Sequence, residues 1–500
     1  MEFLGHLALG FHVALSLANL LYCFLGVLFG TFIGVLPGIG PAGAIALLLP
    51  ITYGMNPASG IIMLSGIYYG AQYGGSTTSI LVNIPGESAS VVTCIDGYQM
   101  AKQGRAGPAL GIAAFGSFIA GTLAIGPLMI LAEPLSALAI QFGPPEYFTI
   151  VLLGLILLIN LAHGSVFKGF IMALFGLALS QIGMDMITGR TRYTFGIIEL
   201  QDGVGLIPLV MGLFGIGEVL ENLGKSMEIE VFKTKIKGLL PNLEDWKNSI
   251  GAILRGTLLG FFLGLLPGGG AILASFTAYT VEKRVSKHPE RFGTGTIEGV
   301  AGPESANNAG ASSNFIPLFV LGFPSNAVMG LLLGALMIHN VQPGPFFISK
   351  HPDIFWGTVV SMYIGNVILL VLNLPLIPFW VKVLKIPYRI LFPLIILFCI
   401  IGVYSVNNSV FDVLLMIIFG MIGFFLKKFK YEMAPLVLAF ILGPMAENAL
   451  RQSLIISQGS LMIFISRPFT LISLMIAFFL MVSHILPFIR KRREVIARFE

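Results

Sequence analysis

Two stretches of this sequence place glycine, proline and hydroxyl or amide side chains inside long apolar surroundings. The first runs from Gly34 to Ser88, and the second begins at Gly264 and ends near Asn326. In hydrocarbon, irregular backbone is tolerated only where protein or a water-filled cavity satisfies its polar groups. We therefore predict that the two stretches form the two halves of one ligand site.

The ligand is predicted to bind through backbone groups and small polar side chains. The hydroxyl run 76–79 precedes the apolar residues 80–82, as N-capping residues precede a helix, and N–H groups at a helix start attract anions. A structural alternative is that these hydroxyls only join helices. Two copies that share Pro and Gly breaks favour ligand binding. The predicted substrate-binding residues are Gly38, Gly40, Gly74, Gly75, Ser76, Thr77, Thr78, Ser79, Pro85, Gly86, Asn307, Asn308, Gly310, Ser312, Ser313, Asn314, Pro324, Ser325 and Asn326.

The distribution of basic residues indicates how an anion is held. No Lys or Arg occurs in residues 1–101 or 292–349, so N–H dipoles and hydroxyls, rather than a guanidinium, are expected to bind an anionic substrate. A co-bound cation could supply the missing positive charge. Carbonyl groups freed at broken helices suit Na⁺, and the candidates are Leu36, Pro37, Leu266 and Pro267.

Two acidic residues lie near the polar runs. Glu87 and Glu304 are nearest, and Asp96 lies a little further on. Acids inside a membrane are costly and are usually functional, so Glu87 and Glu304 are candidates for proton carriers or ion-coupling sites. The alternative is that each lies at a loop edge in water.

Other chemistry is not indicated. Residues 38–43 fit G-x-G-x-x-G, but no soluble strand–turn–helix context surrounds them. The seven histidines and three cysteines show no metal-ligand spacing, and neither H-E-x-x-H nor G-x-S-x-G occurs. We therefore expect no cofactor beyond a coupling ion, no metal centre and no enzyme activity.

The composition defines the elements that must position these residues. Charged residues make up 11% of the chain, against roughly 25% in soluble proteins. Apolar runs of about 20 residues, the length that spans a bilayer, recur along the chain. The fold class predicted is an all-α polytopic membrane protein. The N-terminus lacks a basic region, so no cleavable signal peptide is expected.

The order of motifs repeats along the chain, which indicates internal duplication. Residues 1–222 are predicted to form a first transmembrane repeat, with a hairpin near 11–55 and a broken helix at 57–100. Residues 223–248 form a cytoplasmic connecting loop. Residues 249–449 form the second repeat, with a hairpin near 249–282 and a broken helix at 296–349. Residues 450–500 form a C-terminal transmembrane helix and a basic tail. Ordinary spans are predicted at 106–132, 146–162, 165–183, 204–222, 353–381, 387–405, 409–426, 433–449 and about 468–489.

Charge placement predicts that the two repeats are inverted. Each repeat has five net crossings on this count, an odd number, so the copies have opposite orientation. The N-terminus is then outside and the C-terminus cytoplasmic, with Arg190, Arg192 and Lys350 as misfits on the outer side. Inverted repeats with broken helices at matching positions are typical of secondary transporters.

The chain resembles the large membrane subunit of the tripartite tricarboxylate transporters, the TctA-type permeases, from about residue 10 to 490. The motifs that carry the resemblance are Gly34-x-x-Pro37-Gly38-x-Gly40-Pro41, Tyr73-Gly74-Gly75-Ser76, Pro85-Gly86-Glu87, Gly264-x-x-Pro267-Gly268-x-Gly270 and Pro303-Glu304-x-x-Asn307-Asn308.

The resemblance implies a multi-pass permease of the bacterial inner membrane that imports a tricarboxylate-like or dicarboxylate substrate by symport with Na⁺ or H⁺. It implies two partners, a small membrane subunit (TctB-type) and a periplasmic solute-binding protein (TctC-type), and an elevator-like mechanism. The main alternative is an ion-coupled carrier that needs no binding protein. An intramembrane enzyme would need an ordered set of acids or histidines in one cavity, and a channel or scaffold would not need paired broken helices.

Overall fold

The computed structural model describes residues 2–36, 39–161, 165–185, 187–223, 238–266, 270–384 and 388–496. Within these ranges the chain is mostly helical, and its strands are two short segments, β1 (Gly183–Met184) and β2 (Thr191–Arg192), which pair antiparallel. The predicted all-α polytopic fold class is confirmed.

Helices follow one another along the chain with short connections. The first half contains α1 (Glu2–Ala14), α2 (Leu17–Val35), α3 (Gly40–Leu48), α4 (Pro57–Val82), α5 (Val91–Lys102), α6 (Ala106–Ala139), α7 (Pro144–Leu161), α8 (Val166–Leu179), α9 (Leu206–Val210) and α10 (Gly217–Leu223). The second half contains α11 (Leu243–Gly264), α12 (Gly270–Val285), α13 (Glu298–Ser313), α14 (Ala327–Ile338), α15 (Phe347–Lys350), α16 (Pro352–Asn373), α17 (Ile377–Val383), α18 (Tyr388–Asn407), α19 (Val410–Lys428), α20 (Ala434–Ile456), α21 (Ile463–Ser466) and α22 (Pro468–Ile496). Short 3₁₀ segments lie at Leu49–Thr52, Ile198–Leu200 and Pro289–Arg291, and π-helical turns at Met211–Ile216 and Pro317–Leu321.

Six helical segments of the described chain are long and apolar enough to cross a membrane. They are Leu17–Val35, Ala106–Ala139, Leu206–Leu223, Pro352–Asn373, Ile390–Asn407 and Val410–Lys428. Large apolar side chains on α18 and α22 are exposed, among them Phe398, Phe478 and Phe479. Apolar surface of this kind on long apolar helices fits contact with hydrocarbon.

Two predicted boundaries were wrong. The run 353–381 is not one helix, because α16 ends at Asn373 and α17 begins anew with Pro378 in its first turn. Pro lacks an N–H and clashes with the preceding turn, so it is tolerated at a helix start. The block 11–55 is also broken at Leu15 and Ser16, where the Ser16 hydroxyl caps α2.

The helix α4 corrects a central expectation about the hydroxyl run 76–79. This run does not precede a helix but lies in the last turns of α4, which continues to Val82 and ends at Asn83 in the left-handed conformation. The hydroxyl groups can lie within the helix because they donate to carbonyl groups four residues earlier, as Ser76 does to Gln72 and Ser79 to Gly75. The anion-attracting end of a helix is therefore not located at this run.

Glycines at every fourth position let α2 and α11 each lie directly on the backbone of a later helix. A Cβ added to Gly30 would overlap the Ile67 carbonyl, and one added to Gly260 would overlap the Ala306 carbonyl. Residue numbers rise together in both pairs, so α2 runs parallel to α4, and α11 to α13. Small residues commonly permit such close packing in membranes. The contacts are Gly26–Met63, Gly30–Ile67, Gly34–Ala71, Gly256–Gly302, Gly260–Ala306 and Gly264–Gly310.

The helices α4 and α13 form the buried centre of the molecule. Residues 58–81 of α4 and 299–313 of α13 are all buried. Asn314, just after α13, donates to the Tyr68 hydroxyl at 3.1 Å, and Ser76 donates to Glu304 at 2.6 Å. Residue numbers rise along α4 as they fall along α13, so the two central helices are antiparallel.

Candidate functional site

A cavity of about 430 Å³ lies where the two halves of the chain meet. The first half contributes the start of α3, Tyr68 and Gln72 of α4, and the segment 85–88. The second half contributes the starts of α12 and α14, Lys427 and the segment 432–434. A volume of this size accommodates a small organic molecule.

Three helices begin at the wall of this cavity, α3 at Gly40, α12 at Gly270 and α14 at Ala327. Gly40 and Gly270 have φ angles of +63° and +45°, a region that residues with a Cβ avoid. Asn326 caps α14, its Oδ1 accepting the Met329 N–H at 3.0 Å. The first N–H groups of a helix lack partners within it, and the helix dipole adds positive potential there. Three such ends around one cavity suit an anion such as a carboxylate.

One cationic side chain completes this wall. Lys427, in the last turn of α19, is the one Lys or Arg among the described residues that line the cavity. Its ammonium group pairs with Glu218 of α10 and lies 3.4 Å from the Glu221 carboxylate. Glu87 and Glu432 are further acids on the same wall. The cavity therefore has helix N-termini and an ion pair on its surface, with additional negative charge nearby.

Polar side chains behind the wall connect the two halves. The Asn307 amide donates to Glu87 Oε1 at 2.6 Å. The Asn314 amide group donates to the Tyr68 hydroxyl and accepts a hydrogen bond from Ser325 Oγ, both at 3.1 Å. The bonds of Asn307 to Glu87 and of Asn314 to Tyr68 each join the two halves of the chain, so both halves support the cavity wall. The bond of Ser325 to Asn314 lies within the second half.

The predicted site residues divide into three groups in the structure. Gly40, Pro85, Gly86 and Asn326 line the cavity together with the ion-coupling candidate Glu87. Asn307 and Asn314 lie one contact behind it, and Ser325 bonds to Asn314. The remaining described candidates do not line it: Gly74, Gly75, Ser76, Thr77, Thr78, Ser79, Asn308, Gly310, Ser312, Ser313, Pro324, Leu36, Leu266 and Glu304. Gly38, Pro37 and Pro267 lie outside the described residues. Binding roles for all of these residues stay predictions.

Ser76 and Thr77 lie at a different, much smaller void. They line a space of about 10 Å³ together with Tyr73, Ser117 and Glu304. Glu304 is 1% exposed, and its carboxylate accepts hydrogen bonds from the hydroxyl groups of Ser76, at 2.6 Å, and Thr93. The hydroxyl run and the acid predicted from sequence are therefore brought together, but away from the larger cavity.

Asp96 has a structural position. Its side chain is fully buried, and it accepts N–H groups from Gly293, Gly295 and Thr296 at 2.8–2.9 Å. The Tyr279 hydroxyl donates to its other oxygen at 2.9 Å. Asp96 of α5 thus holds the loop before α13 in place. These hydrogen bonds account for the burial of Asp96 without a transport role.

Sequence reasoning missed several cavity residues. Glu218 lies in the apolar run 204–222, so the rule that acids in apolar runs are usually functional would have found it. Lys427 directly follows the run 409–426, where a basic residue indicates orientation in the membrane. Tyr68 and Gln72 lie two turns and one turn before Ser76 on α4. Only the structure of α4 shows that these two residues line the cavity.

The chain is similar to one protein family over most of its length. The model of the tripartite tricarboxylate transporter TctA family matches residues 20–438. An uncharacterized 52.8 kDa protein in the TAR-I ttuC′ 3′ region of Agrobacterium vitis is 51% identical over 494 residues, covering 99% of this chain and 98% of that protein. An uncharacterized protein in the TAR-II ttuC′ 3′ region of the same organism is 50% identical over 235 residues, covering 47% of this chain and 97% of that protein. No solved structure matches the chain.

Proposed function

The chain belongs to the tripartite tricarboxylate transporter TctA family, and from this membership we propose that it is the permease subunit of a secondary transporter importing a small carboxylate. Membership makes it a transporter component rather than an enzyme. The proposal goes further and assigns a tricarboxylate or dicarboxylate substrate, a Na⁺ or H⁺ gradient as driving force, and delivery of substrate by a periplasmic binding protein.

The observation that carries this proposal is the meeting of three helix N-termini at one cavity. The starts of α3, α12 and α14 come from both halves of the chain, so neither half forms the site alone. N–H groups at these ends can bind one carboxylate of the substrate, and Lys427 can bind another. A substrate with two or three carboxylates could engage both features at once.

The acids around the cavity support coupling to a cation. Glu87 faces the same space as the proposed anion, and like charges in a low-dielectric region repel strongly. The buried oxygens Gln72 Oε1 and Asn307 Oδ1 have no hydrogen-bond donor within the described part of the chain. A cation bound with the substrate would offset the repulsion and give oxygen atoms of this kind a partner.

The packing of the central helices supports inverted repeats. Each of α2 and α11 lies parallel to the helix it packs on, whereas α4 and α13 are antiparallel to each other. The two broken segments therefore approach from opposite ends of the molecule. With the N-terminus outside and the C-terminus cytoplasmic, Lys427 and the segment 429–433 lie at the cytoplasmic end. We accordingly propose that the cavity opens toward the cytoplasm and that an elevator-like movement exposes it on the other side.

Uptake into proteoliposomes tests the proposal. The permease is reconstituted alone, with the small membrane subunit, and with both that subunit and the cognate binding protein, using radiolabelled citrate as the probe. We expect accumulation only with an imposed Na⁺ or H⁺ gradient and with the binding protein present. Accumulation of free citrate by the permease alone would instead favour a carrier that works without a binding protein, and no citrate movement in any arrangement would refute a tricarboxylate substrate.

A further inference from the structure

One buried carboxylate outside the cavity has no basic partner. Glu304 lies near the middle of α13, is 1% exposed and forms no ion pair within the described chain. Its two oxygens accept hydrogen bonds from Ser76 of α4 and Thr93 of α5. An ionised carboxylate is costly to bury without a cation, so such a group tends to take up a proton.

The charged and titratable groups around α13 leave Glu304 isolated. On the α4 and α5 side, the titratable groups near it include Tyr73, Glu87 and Cys94, none of them cationic.

On the α11 and α12 side, the Arg255 guanidinium pairs with Glu282 at 2.6 Å, and the Tyr279 hydroxyl binds Asp96. From α6, Ser117 lines the void beside Glu304, and the Arg105 guanidinium pairs with Asp245 of α11 at 2.6 Å. The Arg255 and Arg105 guanidinium groups are thus already paired with other acids, and Lys102 of α5 lies over the Tyr98 ring.

The space beside Glu304 matches a proton better than a metal ion. The void measures about 10 Å³, which is about the volume that one water molecule needs. Each carboxylate oxygen already accepts one hydroxyl donor, from Ser76 or Thr93, and the void beside them has room for about one water molecule rather than for a hydrated cation. A proton needs only one of the two oxygens.

The same helix connects Glu304 to the larger cavity. Asn307 lies one turn further along α13 and donates to Glu87, which lines the cavity wall. Asn307 therefore links the helix that carries Glu304 to an acid on the cavity wall, while the hydroxyl partners of Glu304 belong to the first half of the chain.

We propose that Glu304 is the proton-binding site of this permease and that H⁺ is the co-transported ion; this rests on the proposed transport function. A proton arriving through water in the void forms an O–H bond with one Glu304 oxygen, and the carboxylate becomes neutral. The new carboxyl group donates to the Ser76 oxygen, and the Ser76 O–H then donates to its other acceptor, the Gln72 carbonyl group. Loss of the same proton on the other side of the membrane restores the carboxylate, so one proton crosses in each cycle.

Infrared difference spectroscopy tests the site without any substrate. The purified permease is compared at low and high pH in choline chloride, and the C=O stretching band of a protonated carboxyl group is recorded. We expect one such band to be lost in Glu304→Gln and retained in Glu298→Gln, a control on the first turn of the same helix. Thr93→Val should shift the pH midpoint of the band, which keeps the test informative if Glu304→Gln does not fold. Full retention of the band in Glu304→Gln, or its suppression by NaCl at constant pH, would overturn the proposal.

A transport measurement separates this inference from the proposed function. In proteoliposomes with the partner subunits, Glu304→Gln should still exchange external for internal citrate but lose accumulation driven by a pH gradient. If the wild type moves no citrate, the proposed substrate fails and the infrared result alone decides the proton site. If the wild type accumulates citrate with a Na⁺ gradient and no pH gradient, and Glu304→Gln does the same, the proton site is refuted.

Discussion

The side-chain amide of Asn307 donates a 2.6 Å hydrogen bond to the carboxylate of Glu87, joining the two halves of the chain at the wall of their shared cavity. Asn307 belongs to α13 in the second half, and Glu87 to the segment between α4 and α5 in the first. Because Glu87 faces the cavity, this bond fixes an acid beside the proposed substrate and ties its position to the helix that carries Glu304.

Asn307→Leu should weaken transport more than it weakens folding. The substitution removes a hydrogen bond to a charged group, a loss of about 1.5–3 kcal/mol and hence roughly a tenfold or greater change. We expect the apparent affinity for substrate in the uptake assay to fall by that factor. Asn407→Leu is the matched control, since Asn407 also donates to a carboxylate, that of Asp412, but at an exposed position that does not line the cavity. Equal losses in the two variants would contradict a special role for the Asn307–Glu87 bond.

Gly40→Ala should reduce uptake through backbone strain at the start of α3. Gly40 has φ of +63°, where an added Cβ costs about 1–2 kcal/mol, although the nearest atom to that Cβ would be 3.7 Å away. The helix start would shift, and with it the N–H groups of the residues that line the cavity. Gly126→Ala is the control, because a Cβ there meets no atom within 4 Å. Wild-type uptake by Gly40→Ala would remove the α3 N-terminus from the site.

Lys427→Met should abolish uptake and lower thermal stability. Removing the ammonium group takes away the cationic side of the cavity and leaves Glu218 unpaired in a partly buried position. Adding Glu218→Gln should restore much of the melting temperature in detergent but not the uptake. Lys428→Met changes a neighbour outside the cavity wall and should behave as wild type. Recovery of uptake in the double variant would show that Lys427 serves only to neutralise Glu218.

Much of the fold follows from sequence because apolar length is a strong signal. The runs 106–132 and 409–426 become α6 and α19, and the breaks near residues 36 and 85 coincide with helix ends. The prediction that the hydroxyl run 76–79 starts a helix was wrong for a physical reason. Ser and Thr side chains can cap a helix start or donate to a carbonyl group four residues earlier, and sequence does not distinguish the two. Sequence alone presents Lys427 as an orientation signal, since its contact with Glu218 joins residues more than 200 positions apart in the chain and depends on packing alone.

Asp96→Asn should destabilise the protein without a selective effect on transport. One Asp96 oxygen accepts three backbone N–H groups, and the other accepts the Tyr279 hydroxyl. Loss of the charge weakens these bonds by about 1–3 kcal/mol in total, because an amide accepts through only one of its two polar atoms. The melting temperature should fall relative to Asp202→Asn, a control at an exposed acid. An unchanged melting temperature would show that the loop before α13 is held by other contacts.

The β-hairpin carries an acid whose ionisation should stabilise the fold above mildly acidic pH. Hydrogen bonds from the Thr188 hydroxyl, the Ile187 N–H, Arg192 and Arg451 hold the pKa of Asp185 well below its usual range. Because the folded pKa is depressed, the stabilisation is present above the unfolded value of about 3.9 and is lost as pH falls below it. The melting temperature of the wild type should decline below about pH 4, and Asp185→Asn should be less stable at neutral pH and show a smaller acid-dependent decline. Parallel curves for the two proteins would contradict this role.

The most direct measurement is an electron cryomicroscopy structure of the permease, with its small subunit, in saturating citrate. The proposal predicts density for the ligand in the cavity between the two halves, with one carboxylate within hydrogen-bonding distance of N–H groups at the starts of α3, α12 and α14. A ligand bound beside residues 76–79 and Glu304, or on a surface formed by one half alone, would contradict it.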